Sequence, residues 1–482
     1  MDLDHAACYR AICLRDPRFD GRFFAGVKTT GIYCRPICPA RTPRSENVTF
    51  YATAAAAQEA GFRPCLRCRP ETAPDLGAWR GTSSVVSRAL TLIDMGALDE
   101  ARIDTLASRL GLGDRHLRRL FREHLGASPV AAAQTRRVHL AKQLIHETQL
   151  PMAEIAFAAG YGSVRRFNEA FQTLFGRSPS ALRRTQGPVV SAGPRGELSV
   201  LLRYKPPYDW PSMLAFLRRR AIPGIESVTD HSYSRSIQLD TFHGVVTVQP
   251  GDGHALRVTI QIPNLSTLPL IIARVRRVFD LAADTTAIGT HLKQDWIFIP
   301  LVKARPGLRV PGAWDGFELA IRAVLGQQIT VDAAIGLAGK IVAACGEPLR
   351  SPDGSLTHVF PRPERLATAD LAQLGMPRSR ASTLSAIAAA AVRDPTFFDP
   401  RSSLEEAVEH FRSIRGVGEW TAQYIALRQL REPDAFPASD VGLMRALNKL
   451  DGTRPDAGEL KARAECWRPW RAYAAQHLWS AA

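Results

Sequence analysis

The sequence predicts a multidomain chain that is predominantly α-helical with α+β parts, and three observations predict it. Two close cysteine pairs, Cys34 with Cys38 and Cys65 with Cys68, lie near the N-terminus. A pattern of short helix, Gly-containing turn and second helix occurs twice between residues 83 and 185. Strict apolar/polar alternation in residues 198 to 262 gives way, from Trp314 onward, to Ala-rich helical periodicity with Pro or Gly at the segment ends. At about 150 residues per domain, 482 residues suggest roughly three domains.

With 45% hydrophobic and 22% charged residues the chain falls in the globular range, which excludes a largely disordered or collagen-like protein. The formal charge is +16, and residues 1–190 carry 27 Lys and Arg against 17 Asp and Glu. A basic balance of this size fits a nucleic-acid partner, although a membrane-surface or merely soluble basic protein would share it. No apolar run reaches the roughly 18 residues of a membrane span, and charged residues interrupt the first 30 positions, so neither membrane insertion nor secretion is expected. The expected location is the cytoplasm.

The two cysteine pairs have three and two intervening residues, with 26 residues between the pairs. Such pairs can present four thiolates tetrahedrally to one structural zinc ion; four inert buried cysteines are the alternative. Spacing alone assigns the metal a stapling role. The flanking residues add more. Thr29-Thr-Gly-Ile-Tyr-Cys-Arg-Pro-Ile-Cys-Pro-Ala-Arg41, Glu46-Asn-Val-Thr-Phe-Tyr51 and Ala60-Gly-Phe-Arg-Pro-Cys-Leu-Arg-Cys68 closely resemble the N-terminal domain of the Ada family of adaptive-response proteins. The resemblance implies that Cys34 takes a methyl group from a DNA methylphosphotriester, once per molecule, and that Arg41 faces DNA. Loss of thiolate charge near DNA would strengthen phosphate binding and couple repair to regulation.

Glu71 to Thr82 and Gly187 to Gly196 read as linkers, because Gly, Pro and small residues displace apolar periodicity there. Between them, Leu106-Ala107, Gly111 and Leu112 recur as Ile155-Ala156, Gly160 and Tyr161. Leu117, Phe121 and Leu125-Gly-Ala-Ser-Pro129 then recur as Phe167, Phe171 and Phe175-Gly-Arg-Ser-Pro179. Two tandem helix-turn-helix units follow. Their second helices carry Arg115, His116, Arg118 and Arg119, then Ser163, Arg165, Arg166 and Asn168, the donors a recognition helix needs, although Arg-rich faces also occur simply as solvated surfaces. The arrangement resembles the AraC-type DNA-binding domain, so residues 1 to 185 look like an Ada-type sensor-regulator, with promoter DNA and RNA polymerase as implied partners.

The remainder lacks the Pro-Cys-His-Arg nucleophile motif that Ada proteins often carry there, and Cys345 and Cys466 read as structural small hydrophobes. Ile414-Arg-Gly-Val-Gly-Glu-Trp-Thr-Ala422 appears instead, with Asp440 ending Phe436-Pro-Ala-Ser-Asp440. Gly416 and Gly418 would let backbone approach a DNA phosphate. These segments resemble the helix-hairpin-helix DNA glycosylase superfamily. Lys205-Pro-Pro-Tyr-Asp-Trp210, Gly244-Val-Val-Thr247, Ala304-Arg-Pro-Gly-Leu-Arg309, Leu325-Gly-Gln327, Leu374-Gly-Met-Pro377 and Trp467-Arg-Pro-Trp-Arg471 extend the resemblance to the 3-methyladenine DNA glycosylase II (AlkA-type) family over about 197 to 482.

The whole chain is thus identified as an Ada-type regulator fused to an AlkA-type glycosylase. The implied parts are a zinc methylphosphotriester-repair domain (1–75), a tandem helix-turn-helix domain (83–185), a mixed α+β, TATA-binding-protein-like domain (197–305) and a helix-hairpin-helix glycosylase domain (306–482). The resemblance implies that Asp440 stabilises positive charge on the sugar as the base–sugar bond breaks. It places Trp420, Tyr424 and Trp479 around a flipped, cationic alkylated purine, although Tyr424 reads equally well as a core aromatic. Gln328 occupies the wedge position. Trp420 stands where bifunctional relatives carry a Schiff-base lysine, so a monofunctional enzyme is expected; neither an iron-sulfur cluster nor oligomerisation is. The competing reading is an AraC-type regulator whose glycosylase-like half is catalytically silent.

Overall fold

The computed structural model describes residues 3–74, 84–183, 197–239, 241–401 and 403–481. The linker expected at 187–196 lies outside the described residues, as do positions 75–82 of the one expected at 71–82; Pro70–Thr72 is a single 3-10 turn. The chain divides into two compact units, Met1–Tyr204 with Asn264–Ala273, and Lys205–Pro263 with Arg274–Ala482.

The first unit begins with a small sheet. Phe24–Val27 lies between Val48–Tyr51 and Ile32–Cys34, antiparallel to both, and Arg63–Pro64 adds in parallel to Ile32–Cys34. Its faces are closed by buried Phe23, Phe24, Tyr33, Val48 and Ala57. This pairing explains how two cysteine pairs separated by 26 residues meet: Ile32↔Arg63 and Tyr33↔Pro64 are in register, so Cys34 and Cys65 leave the sheet side by side. The Cys65 amide donates to the Tyr33 carbonyl at 3.0 Å, which extends the pairing to the cysteine itself.

The helical repeat folds as read. Ile103–Arg109 and Asp114–Leu125 form the first helix pair, Met152–Ala158 and Val164–Phe175 the second. The 19-residue helix Pro129–Glu147 connects them. Equivalent positions do equivalent work: Leu117 and Phe121, like Phe167 and Phe171, are fully buried, while Ser128 and Ser178 accept from the amides of Ala131 and Ala181 as N-caps with Pro at the first helical position. Gly126 and Gly176 end the second helices in the left-handed conformation, which glycine adopts without steric cost.

The zinc-type module packs on the connecting helix through an alanine cluster, Ala55 and Ala56 with Ala127, Ala131 and Ala132, and through polar contacts. The Tyr33 hydroxyl and the His139 Nε2 lie 2.8 Å apart. Lys142, fully buried, donates to the Glu71 carboxylate at 2.8 Å and to the Cys65 carbonyl at 3.1 Å. Arg122 and the Ser128 amide both reach Glu59.

In the second unit, Glu226–Val228, Tyr233–Leu239, Phe242–Gly251 and Ala255–Gln261 pair in sequence order as an antiparallel meander. The alternation read at 236–239 and 256–262 is that of its half-buried face, and helix Trp210–Arg220 contains the apolar run 213–217. From Trp314 the chain is helical with one difference from expectation, a hairpin of Glu347–Asp353 and Leu356–Val359. The two-residue turn is Gly354-Ser355, and its glycine, at φ +57°, was a turn signal there to be read. Helices Leu404–Arg412 and Glu419–Ile425 flank the Gly-Val-Gly turn, and the second runs on into a π-helical turn, Ala426–Leu430.

Candidate functional site

Two sites emerge, one in each unit. In the first, the sulfurs of Cys34, Cys38, Cys65 and Cys68 all lie within 4.8 Å of one another. Tetrahedral zinc with Zn–S bonds near 2.3 Å needs sulfurs about 3.8 Å apart, so the four residues fit one ion with small closure. Strand ends and tight turns place them: Cys34 ends its strand, and the Cys38 amide donates back to Arg35 at 3.1 Å. Among the described residues this is a single four-cysteine zinc site.

The four ligands are not equivalent. Cys65 and Cys68 are buried, whereas Cys34 and Cys38 are partly exposed. The amides of Arg67 and Arg35 donate to the sulfurs of Cys65 and Cys68 at 3.3 and 3.4 Å. Among the described residues no hydrogen bond of this kind reaches Cys34. The Arg35 guanidinium braces the loop by donating to Asp20 at 2.8 Å and to Thr72 at 2.7 Å. Arg41 is exposed just beyond it.

Arg115, His116, Arg118 and Arg119 are exposed on helix Asp114–Leu125, opposite buried Leu117 and Phe121. Arg165, Arg166 and Asn168 are exposed on Val164–Phe175. Ser163 has a structural duty as well, its hydroxyl accepting from the Arg166 amide as the N-cap.

In the second unit the residues expected to act together do meet. Asp440 caps helix Val441–Asp451, its Oδ1 accepting from the Leu443 amide at 3.0 Å. The Trp420 indole donates to Asp440 Oδ2 at 2.7 Å and the Trp479 indole to Oδ1 at 3.0 Å. The Asp440 carboxylate is thus both helix cap and acceptor of two indoles, held by donors from three elements. Tyr424 stacks on Trp420 with ring centroids 5.1 Å apart and meets Trp479 edge-on at 6.4 Å. Burial pushes the Tyr424 phenol up, but Arg428 and Arg220 more than reverse it, and the net shift is downward.

The hairpin turn is built around Gly416, at φ +91°, where a Cβ would lie 2.1 Å from Thr383 Oγ1. Gln327 donates to the Gly416 carbonyl at 3.1 Å and to Thr421 at 2.9 Å, so it pins the turn to the loop that follows helix Gly316–Leu325. Gln328, the expected wedge, is exposed in that loop with φ +58°. Gly418 begins helix Glu419–Ile425.

Two residues that the sequence reading did not single out lie beside these groups: Gln327, bonded to the Gly416 carbonyl, and Arg428, next to the rings of Tyr424 and Trp479. Position 428 repeats the four-residue spacing of Trp420 and Tyr424, a same-face signal present in the sequence. One reading needs correction: Cys345 is buried as a small hydrophobe, but Cys466 is exposed. It sits in a short 3-10 turn and donates to the Arg463 carbonyl, so burial does not account for it.

Four family descriptions match the chain: the metal binding domain of Ada over residues 7–71, a helix-turn-helix domain over 106–185, the AlkA N-terminal domain over 199–315, and the HhH-GPD superfamily base excision DNA repair protein over 321–472. A solved 3-methyladenine DNA-glycosylase from Archaeoglobus fulgidus shares the fold, with TM-score 0.52 and 22% identity over 58% of this chain and 97% of its own. The DNA-3-methyladenine glycosylase 2 of Escherichia coli is 36% identical over 58% of this chain and 95% of its own length. A probable bifunctional transcriptional activator/DNA repair enzyme AlkA of Mycobacterium tuberculosis is 41% identical over the whole of this chain and 97% of its own. The chain belongs to this family of bifunctional transcriptional activator/DNA repair enzymes.

Proposed function

We propose that the chain repairs alkylated DNA by two separate chemistries, hydrolytic excision of alkylated purines by its C-terminal half and stoichiometric methyl transfer to Cys34 by its N-terminal domain. The single observation that carries the first is the Asp440 carboxylate, held by two indole donors in an aromatic pocket. A flipped 3-methyladenine or 7-methylguanine carries positive charge that the faces of Trp420, Tyr424 and Trp479 attract. When the base–sugar bond breaks, its electron pair goes to the base and positive charge develops on the sugar, where Asp440 stabilises it. Water then adds to the sugar, and no lysine is required, so the enzyme is a monofunctional hydrolase. Exposed Gln328 fills the gap the base leaves, and the amides around Gly416 and Gly418 hold the phosphates.

Zinc, when bound, keeps the four sulfurs as thiolates at neutral pH. A sulfur lone pair of Cys34 attacks the methyl carbon, the carbon–oxygen bond breaks, and its electron pair leaves on the phosphate, giving a thioether and an ordinary phosphodiester. Partial exposure and the absence of an amide bond to its sulfur among the described residues favour Cys34 over Cys65 and Cys68. The change in charge then tightens promoter binding by the two exposed helices, to which Arg41, Arg115, His116, Arg118, Arg119, Ser163, Arg165, Arg166 and Asn168 contribute. The working parts are residues 1–75, 83–185, 197–305 and 306–482, acting as a monomer on DNA in the bacterial nucleoid and contacting RNA polymerase.

The test is single-turnover release of 3-methyladenine from alkylated duplex DNA. Wild type is expected to release the base and Asp440→Asn to do so about 1,000-fold more slowly, the worth of one unit charge about 4 Å away in a protein environment. Equal rates, or no release by folded wild type, would leave the regulator with a catalytically silent glycosylase-like half.

A further inference from the structure

Arg428 is a buried cation without a counter-ion. Only 3% of it is exposed, and no carboxylate pairs with it among the described residues. Its Nη1 donates to the Pro311 carbonyl at 2.9 Å, while its Nε has no hydrogen-bond partner. The guanidinium lies instead among aromatic faces, 4.6 Å from the ring centre of Phe216, 5.4 Å from Tyr424 and 5.2 Å from Trp479. Two of these rings belong to the aromatic group around Asp440: the Trp479 indole donates to it, and Tyr424 stacks on Trp420, which does the same. Burial lowers the Arg428 pKa to about 10, opposed by interaction with the Tyr424 phenol and reinforced by the charges of Arg220 and Arg431, so it stays charged at neutral pH. Burying a charge without a carboxylate partner is costly, and three aromatic faces, the Pro311 carbonyl and the Tyr424 phenol recover only part of the cost. The residue also sits on the π-helical turn Ala426–Leu430, an irregularity that often marks functional positions.

We propose that Arg428 is a specificity-determining residue that sets a positive field behind the base, opposite the negative field of Asp440 at the sugar, and so admits electrically neutral damaged bases as substrates. The proposal rests on the glycosylase reading above. It follows from the charge each base carries as it leaves. In cleavage the C1′–N bond breaks heterolytically and its electron pair goes to the base nitrogen. A cationic base departs neutral and gains nothing from a cation behind the rings. A neutral base departs as an anion until it is protonated by water, and there the fixed charge of Arg428 stabilises the developing negative charge without reorganisation. Arg428 thus works through the rings it touches, on the base side only.

The experiment compares the full chain with Arg428→Met and Arg428→Lys on two duplexes, one carrying 7-methylguanine (cationic) and one hypoxanthine (neutral). Single-turnover rate and half-saturating enzyme concentration are read, and affinity for abasic-site DNA serves as a check that the pocket is intact. Arg428→Met is expected to slow hypoxanthine release about 10- to 50-fold, as a screened unit charge one ring away would. Release of 7-methylguanine should change less than about threefold, with tighter half-saturation, and Arg428→Lys should recover most of the hypoxanthine rate. Equal slowing of both bases, or no recovery with lysine, would make Arg428 merely structural and overturn the proposal. Release of neither base by wild type would overturn the glycosylase reading and the proposal together. Release of 7-methylguanine alone would overturn only the proposal.

Discussion

Lys142 tests how the zinc module is held on the helix that joins the two helix-turn-helix units. Its side chain is 0% exposed and that of Glu71 is 1% exposed, and the ammonium bridges Glu71 at 2.8 Å and the Cys65 carbonyl at 3.1 Å. Removing one member of a buried pair costs about 3–5 kcal/mol, because the other charge stays buried. Lys142→Met belongs at the low end, since Glu71 keeps its bond to Arg69 at 3.0 Å. Glu71→Leu belongs higher, because Lys142 then retains only the Cys65 carbonyl and the Phe175 ring face 6.0 Å away. The double substitution removes both charges and should cost about 2–3 kcal/mol less than the sum of the singles. The assay is hydrogen exchange with mass spectrometry on the zinc-loaded full chain, read on peptides covering Ile32–Cys34 and Pro129–Glu147. A loss near 3 kcal/mol speeds exchange about 100-fold, and it should appear in both segments together. Faster exchange in only one segment, or additive single effects, would refute the argument that this pair fastens the two modules.

Three further outcomes follow from the same geometry. Burial pushes the Glu318 carboxyl up, but Arg235 and Arg322 outweigh it and hold the pKa at about 2. The folded value is depressed, so its contribution, up to about 3 kcal/mol, is present above the unfolded pKa and lost as pH falls from about 4.5 toward 2; Glu318→Gln should flatten acid unfolding in that window. Gly416→Ala forces a side chain into the left-handed region and against Thr383, at a cost of about 2–4 kcal/mol, and should weaken abasic-DNA binding more than it lowers the thermal midpoint. Chelation of zinc should abolish protein methylation and lower the unfolding temperature of the first unit while base release persists.

Much of this architecture was legible because its signals are local. The repeat of Leu117 and Phe121 as Phe167 and Phe171 is a matter of apolar spacing, and each of these residues is fully buried. The cysteine pairs were legible because tetrahedral thiolate coordination demands close spacing in each pair. What escaped depends on contacts between distant segments. That Lys142 would reach Glu71 across 71 residues, or that Gln327 would hold the Gly416 carbonyl 89 residues away, is set by packing alone. The burial of Arg428 among Phe216, Tyr424 and Trp479 is likewise a tertiary fact, although its four-residue spacing from Tyr424 was visible. The exposed Cys466 shows the reverse error, in which residue type suggested burial and a short polar turn decided otherwise.

The most direct test of the central claim uses one preparation each of wild type, Asp440→Asn and Cys34→Ser, incubated with methylated duplex DNA. Released 3-methyladenine and the methylation state of the Cys34 peptide are recorded on the same samples. The account predicts a crossed pattern: Asp440→Asn loses base release and keeps methyl uptake, and Cys34→Ser does the opposite. Loss of both activities from either single substitution, or a methyl group carried on Cys38, Cys65 or Cys68 in the wild type, would contradict it.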